Sequence, residues 1–439
     1  MLRRWVLRQY GVSDAAAVMA VAFGISAVLG IVRQTLFGAT FGDGAAAAAY
    51  YAAARLPETF ISFVAGGAFT AALVPVLLAE GDAQQQHLFQ VVLTTVGVAV
   101  AMLSLVGIIM AEWFVVTVLL PGIAADTQQL TISVTRLLFL QPLLLAIVSI
   151  LSAALTAHKR FSLIAAAYIV HNPTIILGIL AARQWPELSI YAPAAGLVLA
   201  AAAKIVIVTI GIRSLNWRVR WAWHPRLPQL HQVLWLAAPT ALSVTVNYAG
   251  TIVDTSFASQ AGVTTVAAIY SGWLLADMPT RLIGSAIGQA VFPHLAHAIA
   301  QQDITTARRL FGRTILTALA LTVPVVVILW LLGRWGIAVV LERGAFDHAA
   351  GDRTYAVLQW YVIGLPAYIM TELLSRMLNA MRDTHTPLLT NMLQLSTKWA
   401  LLRWVLGGVG LVAVPVAHTL TCYLETIILT VFVWRRLRL

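Results

Sequence analysis

Apolar residues fall in long blocks along this chain, each on the order of 20 residues or more, and short polar connectors separate them. That spacing, without sustained alternation of period two, predicts helices and excludes the strands of a membrane barrel. About twelve are expected, near residues 14–36, 45–78, 88–121, 129–156, 161–183, 189–212, 230–256, 263–296, 309–341, 354–380, 387–407 and 411–434. Such blocks match the hydrocarbon thickness of a bilayer, where every backbone N–H and C=O needs an internal partner. The second and eighth are long, and Pro57 and Pro279 are expected to interrupt them. The first block follows Arg3, Arg4 and Arg8 in the manner of a secretory leader, but its apolar run continues to Leu36. That exceeds a leader core, so a retained first span is expected.

Composition turns the pattern into a statement about solvent. Hydrophobic residues make up 60% of the 439 positions and charged residues 10%, where an ordinary soluble domain carries about 25% charged. Too few charges are present to cover a soluble fold of this length. The net charge of +11 raises the question of nucleic acid, but Lys and Arg gather at the ends of apolar blocks, and no nucleic-acid partner is expected. With the N-terminus inside, one side receives Arg3, Arg4, Arg8, Lys159, Arg160, Arg213, Arg218, Arg220, Arg226, Arg308, Arg309, Arg313, Arg382, Arg435, Arg436 and Arg438. The other side keeps Arg183, Arg334, Arg343 and Arg353 among the acids Asp43, Glu112, Asp126, Glu187, Glu342 and Asp347. The positive-inside rule then predicts an even number of spans with both termini cytoplasmic. A single cysteine, Cys422, excludes an internal disulfide framework.

The chain also repeats itself. Leu73-Val74-Pro75 closes a block and leads to Glu80-Gly81-Asp82; half a chain later Val291-Phe292-Pro293 closes another and leads to Gln301-Gln302-Asp303. Gln141-Pro142 in the fourth block is matched by Leu365-Pro366 in the tenth. Each is followed by a basic turn, His158-Lys159-Arg160 or Arg382-Asp383-Thr384. Three matches in order predict two lobes of six helices with the same topology, related by an axis along the membrane normal. The expected division is 1–213, a linker 214–228, and 229–439. Within the linker, Trp217, Trp221 and Trp223 interleave with Arg218 and Arg220, which reads as a segment anchored on cytoplasmic headgroups, with a lipid-binding role as the alternative.

Ionisable residues inside spans are costly and tend to face a cavity or a partner. Lys204, Arg376 and Arg403 have simple readings as snorkelling or helix-paired groups, Glu372 and Arg376 being at i,i+4. Arg33, Arg55 and Arg281 sit close to helix-interrupting Gly or Pro residues in both halves, where transporters open backbone around a substrate. Arginines lining a cavity suit an anionic substrate, phosphate above all. Asp254 and Lys398 lie in apolar spans and form either an ion pair across the bundle or two separate snorkelling charges. The sequence holds no phosphate-cradling G-x-x-x-x-G-K-[ST], no H-E-x-x-H and no G-x-S-x-G, so no enzyme is expected. His171, beside Asn172 and Pro173, reads as a hydrogen-bonded structural residue. No cofactor is expected; energy must come from a Na+ or H+ gradient, the membrane potential or the substrate's own gradient.

Several segments then fall into an order that is recognisable. They are Leu29-Gly30-Ile31-Val32-Arg33 leading to Phe41-Gly42, Arg55-Leu56-Pro57, Gly67-Ala68-Phe69, Val74-Pro75, Glu342-Arg343-Gly344-Ala345-Phe346, Gly364-Leu365-Pro366-Ala367-Tyr368, and Arg382-Asp383-Thr384-His385-Thr386-Pro387. The set resembles the MurJ/MviN lipid II flippases of the multidrug/oligosaccharidyl-lipid/polysaccharide exporter superfamily over nearly the whole chain. The resemblance implies an all-α polytopic protein of the bacterial inner membrane, its two six-helix lobes forming a V around a central cationic cavity. It implies a substrate, undecaprenyl-pyrophosphate-linked peptidoglycan precursor, moved to the outer leaflet by alternating access. It makes Arg33 a pyrophosphate-binding arginine and sets Asp254, in Val253-Asp254-Thr255, at a position that contributes to a sodium site in some members.

The chain departs from the family in ways that bear on substrate. The pattern S-R-x-x-G-x-x-R-D is here Ser26 to Gln34, without its first arginine and its acid. Ala48 replaces an acid, Ile61 and Ser62 replace paired arginines, and Leu274 falls near an arginine expected before Pro279, with Arg281 a turn or two away. Lys398 occupies the asparagine position of the sodium site, so a tethered ammonium is expected in place of the ion. The chain reaches about span twelve, where typical members have fourteen. Besides a lipid II flippase, two readings stay open: an exporter of another polyprenyl-linked saccharide or of small molecules by ion coupling, and a non-transporting scaffold whose partners are cell-wall synthesis enzymes.

Overall fold

The computed structural model describes residues 11–65, 68–381, 383–404 and 408–438. Arg3, Arg4, Arg8, Gly67 and Arg382, used above, lie outside the described residues. Helices stand where the apolar blocks predict them. They begin with α1 (Val12–Phe41), α2 (Ala45–Ala65), α3 (Ala68–Leu78) and α4 (Asp82–Phe114), the last ending in a π-helical turn, Val115–Leu119. Then come α5 (Ala125–Leu138), α6 (Leu140–Ala157), α7 (Ser162–Ile169), α8 (His171–Gln184) and α9 (Tyr191–Ser214). The second half holds α10 (Pro228–Gln260), α11 (Val263–Pro279), a π-helical stretch Thr280–Ser285, α12 (Ala286–Ala300) and α13 (Ile304–Val340). It closes with α14 (His348–Ala380), α15 (His385–Trp404) and α16 (Ala413–Arg438). No strand occurs among the described residues.

Eight helical stretches are long and apolar enough to cross a membrane, and the two parts of α10, bent by 47° after Pro239, make a ninth. The remaining expected spans are helical as well: α2 with α3, α11 with α12, and the more polar α15. The chain is an all-α polytopic membrane protein, and its outer faces agree. On α13, Leu316, Leu331 and Trp335 are each about two-thirds exposed, a surface only lipid accommodates without aggregation.

Proline shapes the spans by removing a donor from the residue four positions back. Pro142 leaves the Leu138 carbonyl without its helical partner, and α5 and α6 are divided at Phe139; Pro173 does the same to Ile169, dividing α7 from α8 at Val170. Pro279 ends α11 and the chain continues as a π helix, as expected. Pro57 behaves differently. It lies inside α2 without ending it, and the next turn is tied by Thr59 Oγ1 donating to the Arg55 carbonyl at 2.9 Å.

The chain divides into two compact units, Met1–Phe41 with Ala49–Ile252, and Gly42–Ala48 with Val253–Leu439. It passes from one to the other within α10, beyond the 214–228 segment. That segment packs on the first unit instead: Trp217 is buried against Phe89 and His158, Gln90 Nε2 donates to the Arg218 carbonyl at 2.6 Å, and the Ala222 amide donates to Thr94 Oγ1 at 3.1 Å. Trp221 and Trp223 stack on each other with their faces outward. In the first unit, α8 crosses α9 at two glycines. A Cβ on Gly178 would lie 2.5 Å from the Ala192 carbonyl oxygen, and one on Gly196 3.0 Å from Ile175 Cα; small residues here let the backbones touch. The early stretch Gly42–Ala48 is held in the second unit by Asp43, whose carboxylate accepts from Arg353 Nε and Nη2 at 2.7 Å.

Candidate functional site

In the first unit, a seam between α1 and α8 sets the position of Arg33. Ser26, Gly30 and Arg33 recur at i, i+4 and i+7 and so share one face of α1. Asn172, buried at the start of α8, donates from Nδ2 to the Ser26 carbonyl at 2.7 Å and to Ser26 Oγ at 3.1 Å. Gly30 faces the same amide, at 3.7 Å from where its Cβ would be. On the next turn Gln34 Nε2 donates to Tyr51 Oη at 2.9 Å, tying α1 to α2. Arg33 is thereby held half-buried between these two anchors.

Around it the first unit gathers further charge. Arg55, buried in α2, contacts Glu58 at 3.4 Å, one turn on. The field of Arg33 reaches both Glu58 and His171, and that of Lys204, from α9, reaches His171. Among the described residues, three cations therefore share a neighbourhood with one acid. The fold brings Arg33 and Arg55 together and adds Lys204, which sequence alone offered as a snorkelling group, and Glu58. His171 was expected to be hydrogen-bonded; instead its Nδ1 is buried without a hydrogen-bond partner among the described residues. Only the general rule that intramembrane charges converge pointed to Lys204 and His171, because no spacing links α8 to α9.

Arg281 stands in the second unit, in the π-helical stretch after Pro279. It pairs with Asp277 one turn back and is 73% exposed. Of the same unit are Asp254 on α10 and Lys398 on α15, which form an ion pair at 2.9 Å with Lys398 almost completely buried. Polar and aromatic groups surround this pair. Gln394, one turn before Lys398, donates from Nε2 to Thr421 Oγ1 at 3.2 Å and to Cys422 Sγ at 3.5 Å. His418 lies among the rings of Trp273, Tyr361 and Tyr368, at 5.0, 5.9 and 5.1 Å between centroids.

A sodium ion, which the resemblance implies at Asp254, does not fit this arrangement. The carboxylate already faces the Lys398 ammonium, a donor-only group, so a second cation on the same oxygen would meet a like charge at close range. No coupling step is assigned to sodium.

The lipid II flippase MurJ family matches the chain over residues 37–439. A probable lipid II flippase MurJ of Rhizobium tropici is 26% identical over 425 residues, covering 94% of this chain and 79% of its own length. Among solved structures, a lipid II flippase MurJ in an inward closed conformation superposes with a TM-score of 0.82 at 20% identity, covering 95% of this chain and 87% of that one. An inward-facing multidrug resistance MATE transporter of the MOP superfamily gives a TM-score of 0.79 at 12% identity, over 96% of this chain and 98% of its own. At those identities the two structures establish a shared fold.

Proposed function

The chain belongs to the lipid II flippase MurJ family, and on that premise we propose that it carries undecaprenyl-pyrophosphate-linked peptidoglycan precursor from the inner to the outer leaflet of the bacterial plasma membrane. The observation that carries this reading is the excess of cations among the helices of the first unit, Arg33, Arg55 and Lys204 against one acid, Glu58, among the described residues. A guanidinium presents a planar fork of donors that matches phosphate oxygens two at a time, and an ammonium adds a point charge. In low dielectric those charges act more strongly than in water. Charges held in lipid are costly, and an anionic headgroup offers them a further partner.

The headgroup's own charge supplies part of the driving force. An inside-negative potential favours outward movement of an anion by about 2.3 kcal/mol per charge per 100 mV. Alternating access, with both termini in the cytoplasm and the Lys/Arg-rich loops beside them, completes the reading. A cation exporter on the same fold would need an acidic cluster at this place, and the sign here is opposite.

Complementation decides the matter. In cells depleted of their own flippase, this chain is expected to restore growth and cell shape. A well-expressed, correctly inserted protein that fails to do so defeats the proposal.

A further inference from the structure

The second unit buries one more acid than its ion pairs account for. Glu425, midway along α16, is 4% exposed, and among the described residues no Lys, Arg or His nitrogen stands within ion-pair distance of it. Cations on the helices packed around α16 have acids of their own: Lys398 pairs with Asp254, Arg376 with Glu372, and Arg436 with Asp383.

Its hydrogen bonding points to the form it takes. Thr390 Oγ1 lies 3.1 Å from Glu425 Oε1 and also 3.1 Å from the Pro387 carbonyl oxygen. A threonine hydroxyl has a single proton to donate. If Glu425 is ionised, one of these two contacts contains no proton. If Glu425 is protonated, its O–H donates to Thr390, and the threonine proton serves Pro387. The neutral acid satisfies both contacts; the carboxylate satisfies one.

The site also lies at one end of a polar file. Thr390, Gln394 and Lys398 follow at i, i+4 and i+8 on α15, facing Glu425, then Thr421 with Cys422, then Asp254. Of the titratable groups nearby, Cys422 on its own helix interacts with Glu425, while Lys398 of α15 and Asp254 of α10 act on Cys422 in turn, and His418 lies against Cys422. On the neighbouring α14, Tyr368 bonds Thr419 of α16 and Glu372 is paired with Arg376. Near the end of α16, Arg436 is paired with Asp383. A row of acids, hydroxyls and imidazole through an apolar bundle is the arrangement that carries protons in membrane proteins.

We propose that Glu425 is a proton-binding site that couples the transport cycle to a transmembrane proton gradient. The acid gives its proton to water on the side to which the unit opens, and the carboxylate regains one from the other side. No other bond changes. The proton site stands on the geometry alone, whereas the coupling rests on the flippase reading.

Two measurements on the full-length protein test it. Infrared pH-difference spectra of the detergent-solubilised chain are expected to show a protonated-carboxyl C=O band that titrates, that disappears in Glu425→Gln and that Glu372→Gln retains. Thr390→Val, which removes the hydroxyl while keeping shape, is expected to move the band to higher frequency without abolishing it. A wild-type protein with no such band, or a band that Glu425→Gln leaves in place, overturns the proton site. In proteoliposomes with fluorescent lipid II, one pH unit is expected to change the wild-type flipping rate by up to about tenfold per proton, and Glu425→Gln to bring that ratio to about one. A variant that keeps the wild-type ratio overturns the coupling. If wild type does not flip lipid II at all, the flippase reading and the coupling fall together, while the infrared band still decides the proton site.

Discussion

Breaking the Asp254–Lys398 pair has a cost that the structure allows to be worked out. The ammonium is 2% exposed and the carboxylate 15%, at 2.9 Å, so both charges have lost most of their hydration. Removing one partner strands the other, which costs about 3–5 kcal/mol in buried pairs. Lys398→Met keeps the volume and the flexibility of the side chain and removes only the charge. For a cooperative unit of about 200 residues, that loss lowers the midpoint of thermal unfolding by roughly 6–20 °C. Asp254→Asn should cost a similar amount. The double variant should recover most of it, because an uncharged pair leaves nothing stranded. Thermal unfolding followed by intrinsic fluorescence in detergent is the assay. Additive losses in the double variant, or single variants within about 1 °C of wild type, would refute the reasoning, since either result means the two charges do not depend on each other.

Other residues give independent checks. Asp383 caps α15, accepting from the Thr386 amide at 3.0 Å and the Thr386 hydroxyl at 2.6 Å, and pairs with Arg436 at 2.8 Å. Burial opposes its charge, but these donors and the guanidinium outweigh burial and hold the carboxyl below its usual range. Its contribution is therefore complete above the ordinary aspartate pKa and fades as pH falls through the lowered value. Asp383→Ala is expected to cost about 1 kcal/mol at neutral pH, with the two unfolding curves converging in strong acid; a constant gap down to the lowest pH would contradict this. Gly178→Leu forces a side chain into the Ala192 backbone and should lower stability by about 1–3 kcal/mol, read as a fall in midpoint and in folded yield. Arg281→Ala loses an exposed helical pair worth less than about 1 kcal/mol, so its midpoint should barely move while lipid II flipping falls severalfold; unchanged flipping removes Arg281 from the substrate path.

The fold was largely legible because block length and loop charge are set by the bilayer, and those constraints act on every span in the same way. Local pairs are legible in principle from helical spacing: Glu372–Arg376 at i,i+4 stands at 2.5 Å, and Arg281–Asp277 obeys the same rule. Proline was read less well. Pro279 and Pro57 give the same local signal, yet only Pro279 ends its helix, and both turns carry a threonine hydroxyl tied to a carbonyl four residues back. Pairs between helices far apart in sequence have no period to betray them. Asp254 and Lys398 were linked only by the cost of leaving either alone in lipid, and Glu425 with Thr390 by nothing at all. Lys204 joined the Arg33 neighbourhood only once α9 was seen beside α8, in a crossing closed by Gly178 and Gly196.

Binding of the pyrophosphate headgroup to the first-unit cations is the step from which the functional account follows. Native mass spectrometry of the purified chain with lipid II added measures it without any need for turnover. Wild type is expected to retain the lipid, and Arg33→Ala with Lys204→Ala to lose it by at least tenfold, since each charged hydrogen bond is worth about 1.5–3 kcal/mol. Equal retention by wild type and the double variant, or retention unaffected when the pyrophosphate is replaced by an uncharged headgroup, would contradict the account.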